Sequence, residues 1–123
     1  MAKKILIIED EEILLNLLQK KLSHLGYEVF VAQDGDIGVT KIKEIKPDLI
    51  LLDIVMPKMN GIEVMEEIIK DGELKKIPVI IISNSGQPLE IERAKELGAR
   101  DWLIKTEFDP QEVIEKVIKQ IGR

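Results

Sequence analysis

Four short apolar runs in this chain each end on residues able to do chemistry. Glu9 and Asp10 follow residues 5–8, Asp53 follows 49–52, Ser83 follows 79–82 and Lys105 follows 102–104. If the runs are neighbouring strands, three carboxylates, a hydroxyl and an ammonium meet at one sheet edge. Adjacent acids cannot all stay ionised cheaply without a counter-charge. One lysine leaves such a cluster at about −2, a charge that a Mg²⁺ ion neutralises, and all-oxygen ligands suit that ion. A carboxylate is already ionised at neutral pH, so Asp53 can attack a phosphoryl group with no general base. Lys105 and a metal would balance charge on the transferring oxygens, and Ser83 would donate to one of them. Singly, each residue has a plainer reading. Glu9 and Asp10 could favour a helix dipole, Asp53 could open a loop, Ser83 could close a turn, and Lys105 could be solvated. Convergence of all five on one edge is what favours chemistry.

The elements that must position them alternate regularly. Residues 5–8, 49–52 and 79–82 are apolar throughout, as strands of a parallel sheet covered on both faces must be. Weaker strand-like runs occupy 29–32 and 102–104. Between them lie stretches with helical spacing. In the first, Ile13, Leu14, Leu17, Leu18, Leu22 and Leu25 are placed on one stripe that stops at Gly26. Further helices are expected over about 37–45, ending before Pro47, about 62–69 after Asn60-Gly61, and about 89–97, ending at Gly98. The last opens on Asp109-Pro110-Gln111-Glu112, a cap, a first-turn proline and a capping-box acid, with Val113, Val117 and Ile121 following. Five βα units in succession imply right-handed crossovers and a doubly wound parallel sheet with helices on both faces. Ligands then bind beyond the carboxyl ends of the strands.

Composition narrows the function. The 123 residues suit a single domain over 1–123. Aromatics make up only 3%, so the core is aliphatic, and the net charge of −5 lacks the footprint of a nucleic-acid binder. No apolar stretch approaches a membrane span, and the N-terminus does not read as a signal peptide, so a cytoplasmic location away from membranes is expected. Cysteine is absent, which removes thiolate metal sites and cysteine nucleophiles. His24, the lone histidine, reads as solvated helix surface rather than as a relay group.

With these residues in view, the chain resembles the response-regulator receiver domain of two-component signalling. The resemblance rests on Ile7-Ile8-Glu9-Asp10-Glu11, Leu52-Asp53-Ile54-Val55-Met56-Pro57, Asn60-Gly61, Ile80-Ile81-Ile82-Ser83 and Leu103-Ile104-Lys105, in that order along the chain. It implies a flavodoxin-like fold with strand order 2-1-3-4-5, an order carried over from that fold and its chemotaxis receivers. It implies Asp53 as the phosphorylation site. Mg²⁺, with Mn²⁺ as the alternative, would be held by Asp10 and Asp53, by Glu9 through water, and by the backbone carbonyl of Val55. Ser83 and Lys105 would contact the phosphoryl group, and Ser83 and Trp102 would act as switch residues, Trp102 standing where the family usually has Tyr or Phe. The implied donor is a sensor histidine kinase or a histidine phosphotransfer protein, and an output partner or domain would read the face of the fourth helix, fifth strand and fifth helix. The chain would then be a signalling phosphoacceptor and not an enzyme acting on others.

Three departures stand out. Thr106 replaces the usual proline after the lysine, Asn84 replaces a small residue after Ser83, and Val55 and Ser85 offer little to orient a water. A slowly hydrolysing phospho-Asp53 is therefore expected. Rival functions fit less well. A flavin carrier would want a Ser/Thr/Gly-rich loop where Glu9 to Glu12 stand. An aspartyl-phosphate hydrolase would want a second acid at Val55. A receiver kept only as a binding module would not need Asp10, Asp53, Ser83 and Lys105 together.

Overall fold

The computed structural model describes residues 2–84, 88–106 and 109–123, without the side chains of Ser83 and Pro88. Five strands, β1 (Lys4–Ile8), β2 (Glu28–Ala32), β3 (Leu49–Asp53), β4 (Val79–Ser83) and β5 (Asp101–Ile104), form one sheet in the order β2-β1-β3-β4-β5. All neighbours run parallel. The helices are α1 (Glu12–His24), α2 (Gly35–Ile45), α3 (Gly61–Ile68), α4 (Pro88–Glu96) and α5 (Pro110–Ile121). The expected fold class and strand order are those observed.

The unbroken apolar runs have a direct cause. Successive strand side chains point to opposite faces, and here both faces are dry. Leu6, Ile8, Ile50, Leu52, Val79 and Ile81 pack with Ile42 of α2, Val64, Met65 and Ile68 of α3, and Ala94 of α4. Ile5, Ile7, Leu49, Leu51, Ile80, Ile82 and Leu103 pack on the other side with Leu15, Leu18 and Leu22 of α1 and with Val113 and Val117 of α5. The outer strands, β2 and β5, are less buried, which is why their sequence signal is weaker.

The α1 stripe needs correction. Leu15, Leu18 and Leu22 are its buried residues, whereas Ile13 is 83% exposed and Leu17 is also exposed. Positions three and seven apart share a face, and the six residues grouped from sequence span more arc than one helix can bury. The helix ends follow the expected chemistry more closely. Gly26 and Gly98 take positive φ after α1 and α4. Asn60 forms a full capping box with Glu63, and the Asp109 carboxylate accepts from Glu112 N at 2.9 Å. After α2, Lys46 adopts a left-handed φ of 49°, consistent with the residue before proline avoiding the helical region. A short 3₁₀ turn over Leu74–Lys76 was not expected. It is held where Asp71 Oδ1 accepts from Glu73 N and Leu74 N, which keeps that carboxyl below its ordinary pKa, and Leu74 plugs the core.

Gly61 fixes α3 against the end of β3. Its N–H donates to Ile54 O at 2.8 Å, and a Cβ there would fall inside the contact distance of Asp53 O and 2.8 Å from Ile54 Cα. The obstacle is backbone, which cannot swing aside. Gly61→Ala is expected to lower stability by about 1–3 kcal/mol, read as a reduced urea midpoint with an unchanged slope. An unchanged midpoint would mean that α3 can back away from β3 without cost.

Candidate functional site

At the carboxyl edge of the sheet the polar ends of β1, β3 and β5 come to one side, β1 next to β3 and β5 beyond the intervening β4. Glu9 extends β1 by one ladder bond, its N–H donating to Ala32 O at 2.9 Å, so its side chain turns into the edge and is fully buried. Asp53 closes β3 and is 1% exposed. Lys105 follows β5, and its side chain is only 8% exposed.

Lys105 Nζ is the hub. It donates to Asp53 Oδ2 at 3.0 Å and to Glu9 Oε2 at 3.0 Å, and lies 3.6 Å from Glu11 Oε2. Glu9 Oε2 also accepts from Glu11 N at 2.9 Å. Val55 N approaches Asp53 Oδ1 at 3.3 Å, while the Val55 side chain faces solvent. Glu9 Oε1 lies 2.9 Å from the same Nζ, so both oxygens of this buried carboxylate rest on one ammonium, and among the described residues no other donor reaches Oε1.

The electrostatics follow from this crowding. Burial, then the charge of Glu9, pushes the Asp53 carboxyl up to about 7, and the Lys105 hydrogen bond pulls against them. Burial alone would depress Lys105, but its bonds to Glu9 and Asp53, with their charges, more than offset that and raise it. One ammonium does not satisfy this much buried negative charge.

A cation fits the remainder. Glu9, Asp10 and Asp53 each offer a carboxylate oxygen, and these oxygens lie within 4.8 Å of one another. Asp10 is exposed, which leaves one side of the trio open to solvent. Three oxygen donors, one of them a buried oxygen reached only by a shared ammonium, match a hard divalent ion that keeps several waters. They do not match a softer metal wanting nitrogen or sulfur.

The residues named from sequence fall as follows. Glu9, Asp10, Asp53 and Lys105 meet at one place. Val55 adjoins them through its N–H. Ser83 ends β4, its backbone in register with Ile104 of β5, but its side chain lies outside the described residues, as does all of Ser85. Trp102 does not join the acidic cluster. It is half-buried on β5, packed against the α2–α4 side of the core, with Lys95 Nζ 4.0 Å from its ring centroid. No cis peptide occurs among the described residues, so Lys105–Thr106 is trans. Two contributors escaped the sequence reading. Glu11, quoted from the sequence only as part of the motif after the first strand and given no role, pins Glu9 through its N–H. Gly61 presses on the backbone of Asp53. A glycine directly after a capping asparagine was the only hint of the latter.

A family model described as the response regulator receiver domain matches residues 5–118. The alkaline phosphatase synthesis transcriptional regulatory protein PhoP of Bacillus subtilis is 38% identical over 95% of this chain, which spans 48% of that longer protein. Chemotaxis protein CheY of Thermotoga maritima is 38% identical over 97% of this chain and 98% of its own. Among solved structures, Vibrio cholerae chemotaxis protein CheY4 superposes with a TM-score of 0.91 at 26% identity, covering 98% of this chain and 100% of that one. The receiver domain of sensor histidine kinase PA1611 from Pseudomonas aeruginosa, solved with a magnesium ion coordinated in its active-site cleft, superposes at 0.89 and 25% identity with both chains fully covered. Among the described residues no helix is long and apolar enough to cross a membrane. From the acidic edge beside a single buried lysine to the extent of these matches, the chain belongs to the response regulator receiver domain family of two-component signalling.

Proposed function

We propose that residues 1–123 act as one receiver unit in which Asp53 accepts a phosphoryl group. The observation that carries this is Lys105 Nζ at 3.0 Å from Asp53 while also bonded to buried Glu9. That places a cation beside the one carboxylate that closes the central strand. A carboxylate oxygen of Asp53 attacks phosphorus, and the bond from phosphorus to the leaving group breaks. The departing atom, an imidazole nitrogen of a phosphohistidine or the carboxylate oxygen of an acyl phosphate, keeps the electron pair.

Glu9, Asp10 and Asp53 would hold Mg²⁺, or Mn²⁺ in its place, with the Val55 carbonyl as a further ligand. The magnesium reported in the PA1611 receiver, together with the buried Glu9 oxygen that only a shared ammonium reaches here, supports this assignment. When bound, the ion neutralises charge on the trio and on the transferring oxygens. Lys105 then turns from Asp53 to a phosphoryl oxygen, and Ser83 donates to another. Nothing at Val55 can activate water, so the acyl phosphate should persist. The donor is a sensor histidine kinase or a histidine phosphotransfer protein, encountered in the cytoplasm. An output partner or domain reads the face formed by α4, β5 and α5, with no direct role for nucleic acid or membrane and no turnover of an external substrate.

Intact-mass spectrometry after incubation with acetyl phosphate and Mg²⁺ tests the assignment. Wild type should gain the mass of one phosphoryl group, and Asp53→Asn should gain none. Equal labelling of both would move the acceptor elsewhere, and no labelling of wild type would end the proposal.

A further inference from the structure

Between Asp53 and α3 the chain makes a turn that its own residues do not favour. Lys58 takes a φ of 67° though it is not glycine, and Met59 N donates to Pro57 O at 2.8 Å. A three-residue turn closed by that bond around a positive φ is the rare, strained form. Such backbone persists only where its surroundings over-determine it. On one side those surroundings are α3, where Gly61 N holds Ile54 O and Asn60 caps the helix. On the other they are the start of α2.

There Gly35 is buried, and a Cβ on it would fall inside the contact distance of Met59 O and 2.6 Å from Met59 Cβ. Its φ is not positive, so glycine supplies room at this position and not backbone freedom. Asp34 assists from the adjacent position. Its Oδ1 accepts from Ile37 N at 2.8 Å, which caps α2, and its Oδ2 lies 3.8 Å from Lys58 Nζ. That ion pair is solvated on the lysine side and contributes little. The close approach at Gly35 is the main contact. Because α2 is seated on the core by Gly38, against Ile8, and by Ile42, a methyl at position 35 displaces the loop before it displaces the helix.

The same loop orients Asp53. Val55 N approaches Asp53 Oδ1 at 3.3 Å while Lys105 takes Oδ2. Ile54 N is tied to Ile82 O of β4 at 3.2 Å and Gly61 N to Ile54 O, so residues 55–59 are the stretch that yields when α2 refuses the turn. We propose that Gly35 is a positioning residue for Mg²⁺ at Glu9, Asp10 and Asp53: by admitting the Met59 carbonyl it keeps the turn at 57–59 closed, and the closed turn keeps Val55 against the Asp53 carboxylate. The inference rests on the reading of that trio as a Mg²⁺ site. Gly35 has no side chain to offer the ion and acts through the loop alone.

The test is calorimetric titration of Mg²⁺ into the full chain at about pH 8, above the value of about 7 at which Asp53 titrates. Gly35→Ala is expected to raise the Kd about tenfold, the scale on which groups behind the ligands affect a metal. Gly38→Ala is the control. It lies three residues further along the same helix, where a Cβ would meet Ile8 Cδ1 at 2.7 Å. It should lower the urea midpoint and leave the Kd of the folded protein as in wild type, because lost stability alone does not change the affinity of the folded state. A second pair of variants leaves α2 untouched. Lys58→Val opposes a positive φ and should raise the Kd about threefold to tenfold. Lys58→Gly loses the same charge but accepts that φ, and should bind as wild type. An unchanged Kd in Gly35→Ala, an equal rise in Gly38→Ala, or equal Kd values in the two Lys58 variants would overturn the role of Gly35 while leaving the trio as a Mg²⁺ site. If Gly35→Ala does not fold, the Lys58 pair decides. Absence of Mg²⁺ binding by wild type overturns both readings.

Discussion

Without Mg²⁺ the protein should lose stability on the order of 4 kcal/mol as pH rises from about 4 to about 7, and addition of Mg²⁺ above that window should restore much of it. The loss comes from Asp53. Its carboxyl titrates at 3.8 in the ordinary state and at about 7 in the fold. Between those values the unfolded chain has released the proton and the folded one retains it. A folded pKa above the unfolded one stabilises fully below the lower value, and that stability drains away as pH climbs to the upper one. Each pH unit of separation is worth about 1.4 kcal/mol. Above about 7 both forms are ionised and the penalty is complete: a carboxylate buried against Glu9 with one lysine between them. A divalent cation binds the folded, ionised form alone, and at a hundred times its dissociation constant it returns about 2.7 kcal/mol.

Other carboxylates titrate too, so the useful quantity is the difference between wild type and Asp53→Asn across urea titrations in EDTA. That difference cancels the common groups. Asp71, whose exposed carboxyl is held low by two backbone N–H groups, acts in the opposite sense and below its ordinary 3.8, outside the window. Asp53→Asn should be the more stable protein near neutrality and should show little response to Mg²⁺. A wild type as stable at about pH 8 as at about pH 4.5, relative to that variant, would mean that Asp53 ionises in the fold without penalty, contrary to its burial.

How much of this was readable in advance depends on whether the deciding contact is local or distant. β1, β3 and β4 announced themselves because both faces of each strand are dry, which leaves an apolar run that no alternating or helical pattern mimics. Strand ends then placed Glu9, Asp10, Asp53 and Lys105 at one edge, since a parallel sheet aligns its carboxyl ends whatever the side chains are. The helix caps at Asn60 and Asp109 were equally local. What failed was periodicity on a surface element: Ile13 and Leu17 look like core, and only the seating of α1 on the sheet shows that Leu15 takes that place. The contacts of Lys95 with the Trp102 ring and of Lys116 with the Trp102 carbonyl could not be read, because a lysine on a helix face has no sequence feature that distinguishes a solvated ammonium from one poised over an indole seven residues away or bonded to a carbonyl fourteen residues away. Gly61 shows the same limit. Its need for a missing Cβ comes from the backbone of Asp53, a neighbour across the turn.

Lys105→Met should give the second large effect, and its sign separates two roles of the ammonium. Methionine keeps an unbranched, flexible stem and removes the charge, leaving Glu9 and Asp53 buried without their shared donor. Breaking such a pair from one side costs about 3–5 kcal/mol when the remaining charge stays ionised, and that deficit should appear in EDTA at about pH 8. At about pH 5, below the value of about 7 at which Asp53 already titrates, a proton on that carboxyl takes over the function of the ammonium and the deficit should shrink. Mg²⁺ should bind the variant about tenfold more tightly or better, because ammonium and metal no longer share the same oxygens: a unit charge within several ångströms in a partly buried site is worth a few kcal/mol. Phosphorylation from acetyl phosphate should nevertheless slow, since the metal cannot also replace the hydrogen bond that Lys105 would make to a phosphoryl oxygen. Tighter metal binding with slower transfer is the signature of a lysine that competes for Asp53 before the reaction and follows the phosphoryl group after it. Weaker Mg²⁺ binding in the variant, measured by calorimetry, would contradict the distances of 3.0 Å that place Nζ on Glu9 and Asp53 in the unmodified protein.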